Sequence, residues 1–181
     1  MMNLMVNLRN TKGVTLTELM IVVAIIAIVA STAVPMFQNS RYHLNLREKT
    51  QTLVRDLRTA QSLAVKENMT YKLAFDIAGD SYRVCKDDPT VANNPGDPCD
   101  PPPVVATRQL AIEGMGGVVT LLSVLDGGGD QTAISFGGSG YVTAPAAPPV
   151  TVTLQSCQAG ERTQVRLQRI GGIQTTTTQP C

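Results

Sequence analysis

Apolar residues dominate positions 14–34, VTLTELMIVVAIIAIVASTAV, and Glu18 is the one charge in that run. A helix rises about 1.5 Å per residue, so about 21 residues span roughly the 30 Å of a bilayer core. After Pro35 the pattern changes. Leu46, Leu53, Leu57, Ala60 and Ala64 recur at helical spacing, with Arg47, Lys49, Arg55, Asp56 and Arg58 expected largely on other faces. Pro35 removes a backbone donor and is expected to kink or loosen the helix there. Helix is expected to persist to about Asn68.

Period-two alternation then replaces the helical pattern. Tyr71, Leu73, Phe75 and Ile77 alternate with Lys72, Ala74 and Asp76, which predicts a strand with one buried face. Ala78-Gly79-Asp80 supplies a turn and Ser81–Lys86 the returning strand of a hairpin. Residues 87–103 are rich in Pro and Asp and read as a loop. Further strands are expected at Val104–Ile112, Val118–Leu125, Thr132–Phe136 and Val150–Gln155, with Thr163–Ile170 as the last. Gly-rich connectors separate them, including Gly127-Gly128-Gly129. The chain therefore reads as α+β: a long N-terminal helix whose second half packs on an antiparallel sheet. The segments are 1–13, a short leader; 14–34, a membrane or assembly helix; 35–70, its amphipathic continuation; and 71–181, the sheet domain.

Composition changes this picture little. The formal net charge is +1, so no bulk field calls for a polyanionic partner. With no Trp and few aromatics, the core must be aliphatic. The four cysteines, Cys85, Cys99, Cys157 and Cys181, all follow the apolar run, as disulfides in an oxidising compartment would. Cys85 and Cys99 bracket most of the Pro-rich loop, and a bridge there is worth roughly 3 kcal/mol in the chain-entropy model. Cys157 and Cys181 flank the expected last strand, so a second bridge can pin the tail. Other pairings of the four remain compatible with the sequence.

Glu18 carries the most information. A carboxylate inside an apolar span costs a few kcal/mol if it sits deep in lipid. A plain anchor does not need it, nor does a secretory signal peptide cut after Ala33 behind the small residues Ser31-Thr32-Ala33. A helix that packs against copies or relatives of itself can use it. If the chain is cut after Gly13, Val14 gains an α-amino group one turn from Glu18. In a bundle, the carboxylate can then meet the positive N-terminus of a neighbouring subunit and fix the stagger between them.

The stretch Lys12-Gly13-Val14-Thr15-Leu16-Thr17-Glu18-Leu19-Met20-Ile21-Val22-Val23 resembles the type IV pilin and type II secretion pseudopilin superfamily. The resemblance implies cleavage by a prepilin peptidase between Gly13 and Val14, N-methylation of Val14, and an assembly role for Glu18. Val14 stands where the family usually has Phe. More loosely, Tyr71–Lys86, Ile134–Tyr141 and Val150–Cys157 resemble the GspH/FimT (FimU-like) minor pilin branch. That branch implies a pilin fold and a structural minor pilin, not an enzyme, that helps to initiate or cap a type IV pilus at its tip. The alternative is a minor pseudopilin of a type II secretion system. The cysteines near the chain end look more like the minor pilins. The implied partners are other minor pilins, a major pilin, prepilin peptidase and the bacterial inner membrane, crossed once with the C-terminal domain in the periplasm.

Other chemistry is sparse. No P-loop, H-E-x-x-H, G-x-S-x-G or dinucleotide fingerprint is present, and no cofactor is implied. The aspartates of 87–100 and of Asp126–Asp130 do not match a calcium loop, and no metal site is expected. His43 has no catalytic constellation around it and is expected to be exposed. Arg162, Arg166 and Arg169 follow a stretch, residues 109–161, that has no cation. Arg162 and Arg166 share a face if the segment is extended. Some FimT-type minor pilins bind DNA through such a segment, so DNA is a possible partner, although Glu161 precedes Arg162 and the compact G-R-x-R pattern is missing. The competing reading is an outer strand face whose arginines meet acidic neighbours.

Overall fold

A computed structural model of the chain describes residues 13–87, 99, 104–109, 119–126, 129–130, 132–144 and 149–178. The leader to Lys12, most of the Pro-rich loop, residues 110–118, Gly127-Gly128 and Cys181 lie outside the described residues. The chain divides into two units, Met1–Phe37 and Gln38–Cys181. The helix α1 (Leu16–Glu67) begins in the first and ends in the second, and it runs on through Pro35. The units part at Phe37, within a turn of that proline.

In the second unit α1 is held by its apolar stripe. Leu46, Leu53, Leu57, Ala60 and Ala64 are all buried. Their spacing of seven, four, three and four keeps one face toward the sheets. Asp56 departs from the expectation that the charged residues face elsewhere: it is buried. The reason is geometric. Position 56 lies three residues after Leu53 and four before Ala60, so it falls on the same stripe. The helix stops at Glu67 because Asn68 takes a left-handed conformation, φ 51°. Met69 N–H then donates to the Ala64 carbonyl at 3.2 Å. This six-to-one bond is the Schellman arrangement, which satisfies a carbonyl that the helix end would orphan.

Among the described residues the rest of the chain forms ten strands: β1 (Thr70–Asp76), β2 (Ser81–Asp87), β3 (Val104–Gln109), β4 (Thr120–Asp126), β5 (Gly129–Asp130), β6 (Ala133–Phe136), β7 (Val142–Ala144), β8 (Val150–Ser156), β9 (Glu161–Leu167) and β10 (Ile173–Thr178). They make two antiparallel five-stranded sheets rather than one. Their orders are β3-β2-β1-β6-β7 and β10-β9-β8-β4-β5. Thr163–Ile170 is therefore not the last strand: β9 ends at Leu167, a turn closed by Gly171 at φ +78° reverses the chain, and β10 follows. The Thr-rich β10 has no buried residue, so it lacks the apolar alternation that marks a half-buried strand.

The inner faces meet α1 in one core. Tyr71, Leu73, Tyr82, Val84, Ile134 and Phe136 come from the first sheet. Leu121, Val124, Val152, Leu154, Val165 and Leu167 come from the second. On β1, Ala74 is buried as well, against the alternation, because it packs on Cys85 and Cys99 on the sheet's other face. Two polar ties join the sheets. Asp80 Oδ1 accepts the Leu121 N–H at 2.8 Å, and Val142 N–H donates to the Arg169 carbonyl at 3.2 Å. Gln61 supports the second tie: its Nε2 donates to the Gly140 carbonyl at 2.9 Å. A Cβ at Gly171 would push the Gln61 amide from its place, and the positive φ there is one that favours glycine.

Candidate functional site

The segment Gly13–Glu18 opens the described chain. Gly13, Val14 and Thr15 precede the helix, and all three are exposed. A Cβ at Gly13 would meet nothing within 4 Å, so no packing demand explains this glycine. Val14 is 72% exposed. Thr15 is the N-cap: its Oγ1 accepts the Glu18 N–H at 3.3 Å, and its carbonyl takes the first helical bond, from Leu19 N–H, at 3.1 Å. Thr-x-x-Glu is the capping-box spacing, a signal that the sequence reading passed over. The box is half made. Among the described residues the Glu18 carboxylate has no hydrogen bond or ion pair, so its reciprocal arm back to Thr15 is open. Glu18 lies in the first turn, where the helix dipole favours a negative charge.

Behind this cap, Leu16–Ala33 is long and apolar enough to cross a membrane, and none of it is buried. Leu16, Leu19, Met20, Ile21, Val23, Ile25 and Ile26 are exposed along it. Ser31 and Thr32 do not disturb the run: their hydroxyls donate to the Ile28 and Val29 carbonyls at 2.7 and 3.0 Å. Their polarity is satisfied within α1.

In the second unit a disulfide joins Cys85 and Cys99, with Cα atoms 5.6 Å apart. Cys157 is exposed and forms no disulfide with another described residue, while Cys181, its expected partner, lies outside the described residues. Cys157 stands in the turn between β8 and β9, where Gln155 Nε2 donates to its sulfur at 3.2 Å.

Arg162 and Arg166 do share a face of β9, opposite buried Thr163, Val165 and Leu167. Arg162 Nε donates to Gln155 Oε1 at 3.1 Å, on β8 directly across the sheet. Arg169 stands outside the strand, in the turn before β10. Glu161 does not offset Arg162. It points the other way and holds His43 Nδ1 at 3.1 Å, so His43 ties α1 to the second sheet. A second tie closes the helix end, where Glu67 Oε2 accepts from both Lys86 Nζ and Tyr71 Oη at 2.8 Å. Those two hydrogen bonds, Lys86 first, hold the Glu67 carboxyl below its ordinary pKa. Burial, and then the Glu67 partner, push the Tyr71 phenol up. Among the described residues no cluster of His, Cys, Asp and Glu could hold a metal ion.

Comparison with known proteins matches both ends of this arrangement. The family model described as type II transport protein GspH matches residues 49–171, which is more than half of the chain. The prokaryotic N-terminal methylation motif matches residues 8–34. Among solved structures, the minor pseudopilin EpsH from the type 2 secretion system of Vibrio cholerae superposes with a TM-score of 0.51 at 15% identity. That match covers 73% of this chain and 96% of EpsH, and at this identity it speaks for the fold. No curated protein sequence matches.

Proposed function

The chain belongs to the GspH family, and from that premise we propose that it is a structural, non-catalytic minor subunit of a pilus-like filament, anchored and assembled through α1. One observation carries the reading. An uncapped carboxylate, Glu18, sits in the first turn of an exposed apolar helix, one turn from the Gly13–Val14 bond. After cleavage, the Val14 amine of a neighbouring subunit and Glu18 would neutralise each other where water is scarce. The same pairing sets the axial offset of successive helices. The methylation motif over residues 8–34 supports prepilin peptidase as the processing enzyme and Val14 as the methylated residue. In this reading the basic leader stays in the cytoplasm and the sheet unit faces the periplasm.

Two machines use such subunits. A type IV pilus tip draws support from the cysteines near the chain end, Cys157 and Cys181. The type II transport family model favours a minor pseudopilin, and we put that reading first. DNA capture draws less support, because Arg162 is tied to Gln155 and Arg169 lies off the strand. An ordinary secreted domain released after Ala33 is disfavoured, since Ser31-Thr32-Ala33 is wound into α1.

Intact-mass measurement of the chain, made with and without a prepilin peptidase, tests the reading. The expected product begins at Val14 and carries one added methyl. A product cut after Ala33, or a chain left whole beside an active peptidase, would overturn it.

A further inference from the structure

An open groove of about 420 Å³ runs beside the last turns of α1. The helix contributes Arg58, Gln61, Val65 and Lys66, and the turns after β6 and β9 contribute Tyr141 and Ile170. Gln61, bonded to the Gly140 carbonyl, closes the floor. The rim is apolar yet exposed: Ile170 is 71% and Tyr141 52% accessible, and Val65 is open as well. Three such side chains converging on one groove differ from the scattered surface apolar residues of any soluble domain.

The charge of the groove has one sign. Arg58 and Lys66 are exposed, and neither makes a hydrogen bond or ion pair among the described residues. Lys66 adds only a distant pull on Glu67, which is already engaged by Lys86 and Tyr71. No carboxylate lines the groove. We propose that it docks an extended acidic segment of a neighbouring protein subunit, with the pattern acid–x–apolar–x–acid. The spacing follows from two repeats. Eight helical residues separate Arg58 from Lys66, about 12 Å along the axis. In an extended chain, residues i and i+4 point the same way about 13 Å apart, and i+2 points with them. The two acids would reach the two cations while the apolar residue covers Val65, Tyr141 and Ile170. A nucleic acid fits less well, because two cations and one aromatic ring provide neither a backbone track nor a stacking series. The inference rests on the assembly reading only for the source of the segment.

The test uses the full chain in detergent micelles and a fluorescein-labelled peptide, Thr-Asp-Thr-Leu-Thr-Glu-Thr. Controls are the same peptide with Lys for both acids, the same with Asn for Leu, and labelled oligothymidylate. We expect a saturable rise in anisotropy with the acidic peptide alone. Reversing both cations (Arg58→Glu with Lys66→Glu) should weaken it by about tenfold or more. Ile170→Ser should weaken it too, and Arg166→Glu on the second sheet should leave it unchanged. Absence of saturable binding, equal binding of the lysine peptide, binding of oligothymidylate instead, or insensitivity to the charge reversal would each overturn the proposal. A chain that is cut after Gly13 and enters filaments, yet ignores the peptide, would overturn the groove and leave assembly intact.

Discussion

Tyr82 Oη donates a 2.9 Å hydrogen bond to Asp56 Oδ2 inside the core, joining β2 to the buried stripe of α1. A hydrogen bond to a buried acidic side chain is asymmetric: removing one partner costs more than the bond itself contributes. Tyr82→Phe keeps the ring and removes the donor. It should destabilise the sheet unit by about 1–3 kcal/mol, read as a lower urea midpoint at unchanged slope. The double variant Asp56→Leu with Tyr82→Phe should cost less than the sum of the single changes.

Glu18→Ala should leave membrane insertion and cleavage after Gly13 intact, because the Thr15 cap bonds the backbone of residue 18 and not its side chain. Incorporation into filaments should be lost. Glu18→Gln separates charge from shape and should fail as well. Counting the subunit in sheared filament fractions checks both variants, and normal incorporation of either would remove the register argument.

Reducing Cys85–Cys99 releases a loop with a sequence separation of 14. The unfolding free energy should fall by about 3 kcal/mol in the chain-entropy model. Without reductant, a maleimide should label Cys157 in the native protein. A peptide map showing Cys157 joined to Cys181 would instead establish the second bridge expected from the sequence.

Acid should loosen the end of α1. The folded Glu67 carboxyl titrates below its ordinary value of 4.5, so its contribution is fully present above that pH. It is lost as pH falls through the lower folded value, when the carboxylate that accepts from Lys86 and Tyr71 is protonated. Glu67 is exposed, so the effect is small. Comparing the parent with Glu67→Gln below pH 4.5 should show a steeper acid loss in the parent and near-identity of slope at neutral pH.

Much of this arrangement was legible in the sequence because strong periodicity leaves few options. The Leu46–Ala64 stripe, the hairpin 71–86 and the strand from Val150 are each dictated by which residues must leave water. The features that escaped notice depend on partners distant in sequence. Asp56 looked solvent-facing until Tyr82 supplied its donor, and His43 looked idle until the β8–β9 turn brought Glu161 to it. β10 escaped because Thr175–Thr178 are exposed on both faces and show no alternation. The way the two sheets are held together depends on cross-sheet bonds such as Asp80 to Leu121, which residue type does not announce.

The Thr15 cap has a consequence for the cleavage proposed after Gly13. Endopeptidases grip substrate as extended backbone, through the same amide groups that a helix ties up internally. Because α1 begins at Leu16, the Gly13–Val14 amide lies outside the helix, with no hydrogen bond among the described residues to compete with such a grip. The helix need not melt before hydrolysis. The threonine thus draws a border between chain that a hydrolase can read and chain that it must leave whole, and moving that border toward the leader would slow maturation without altering a single residue at the scissile bond.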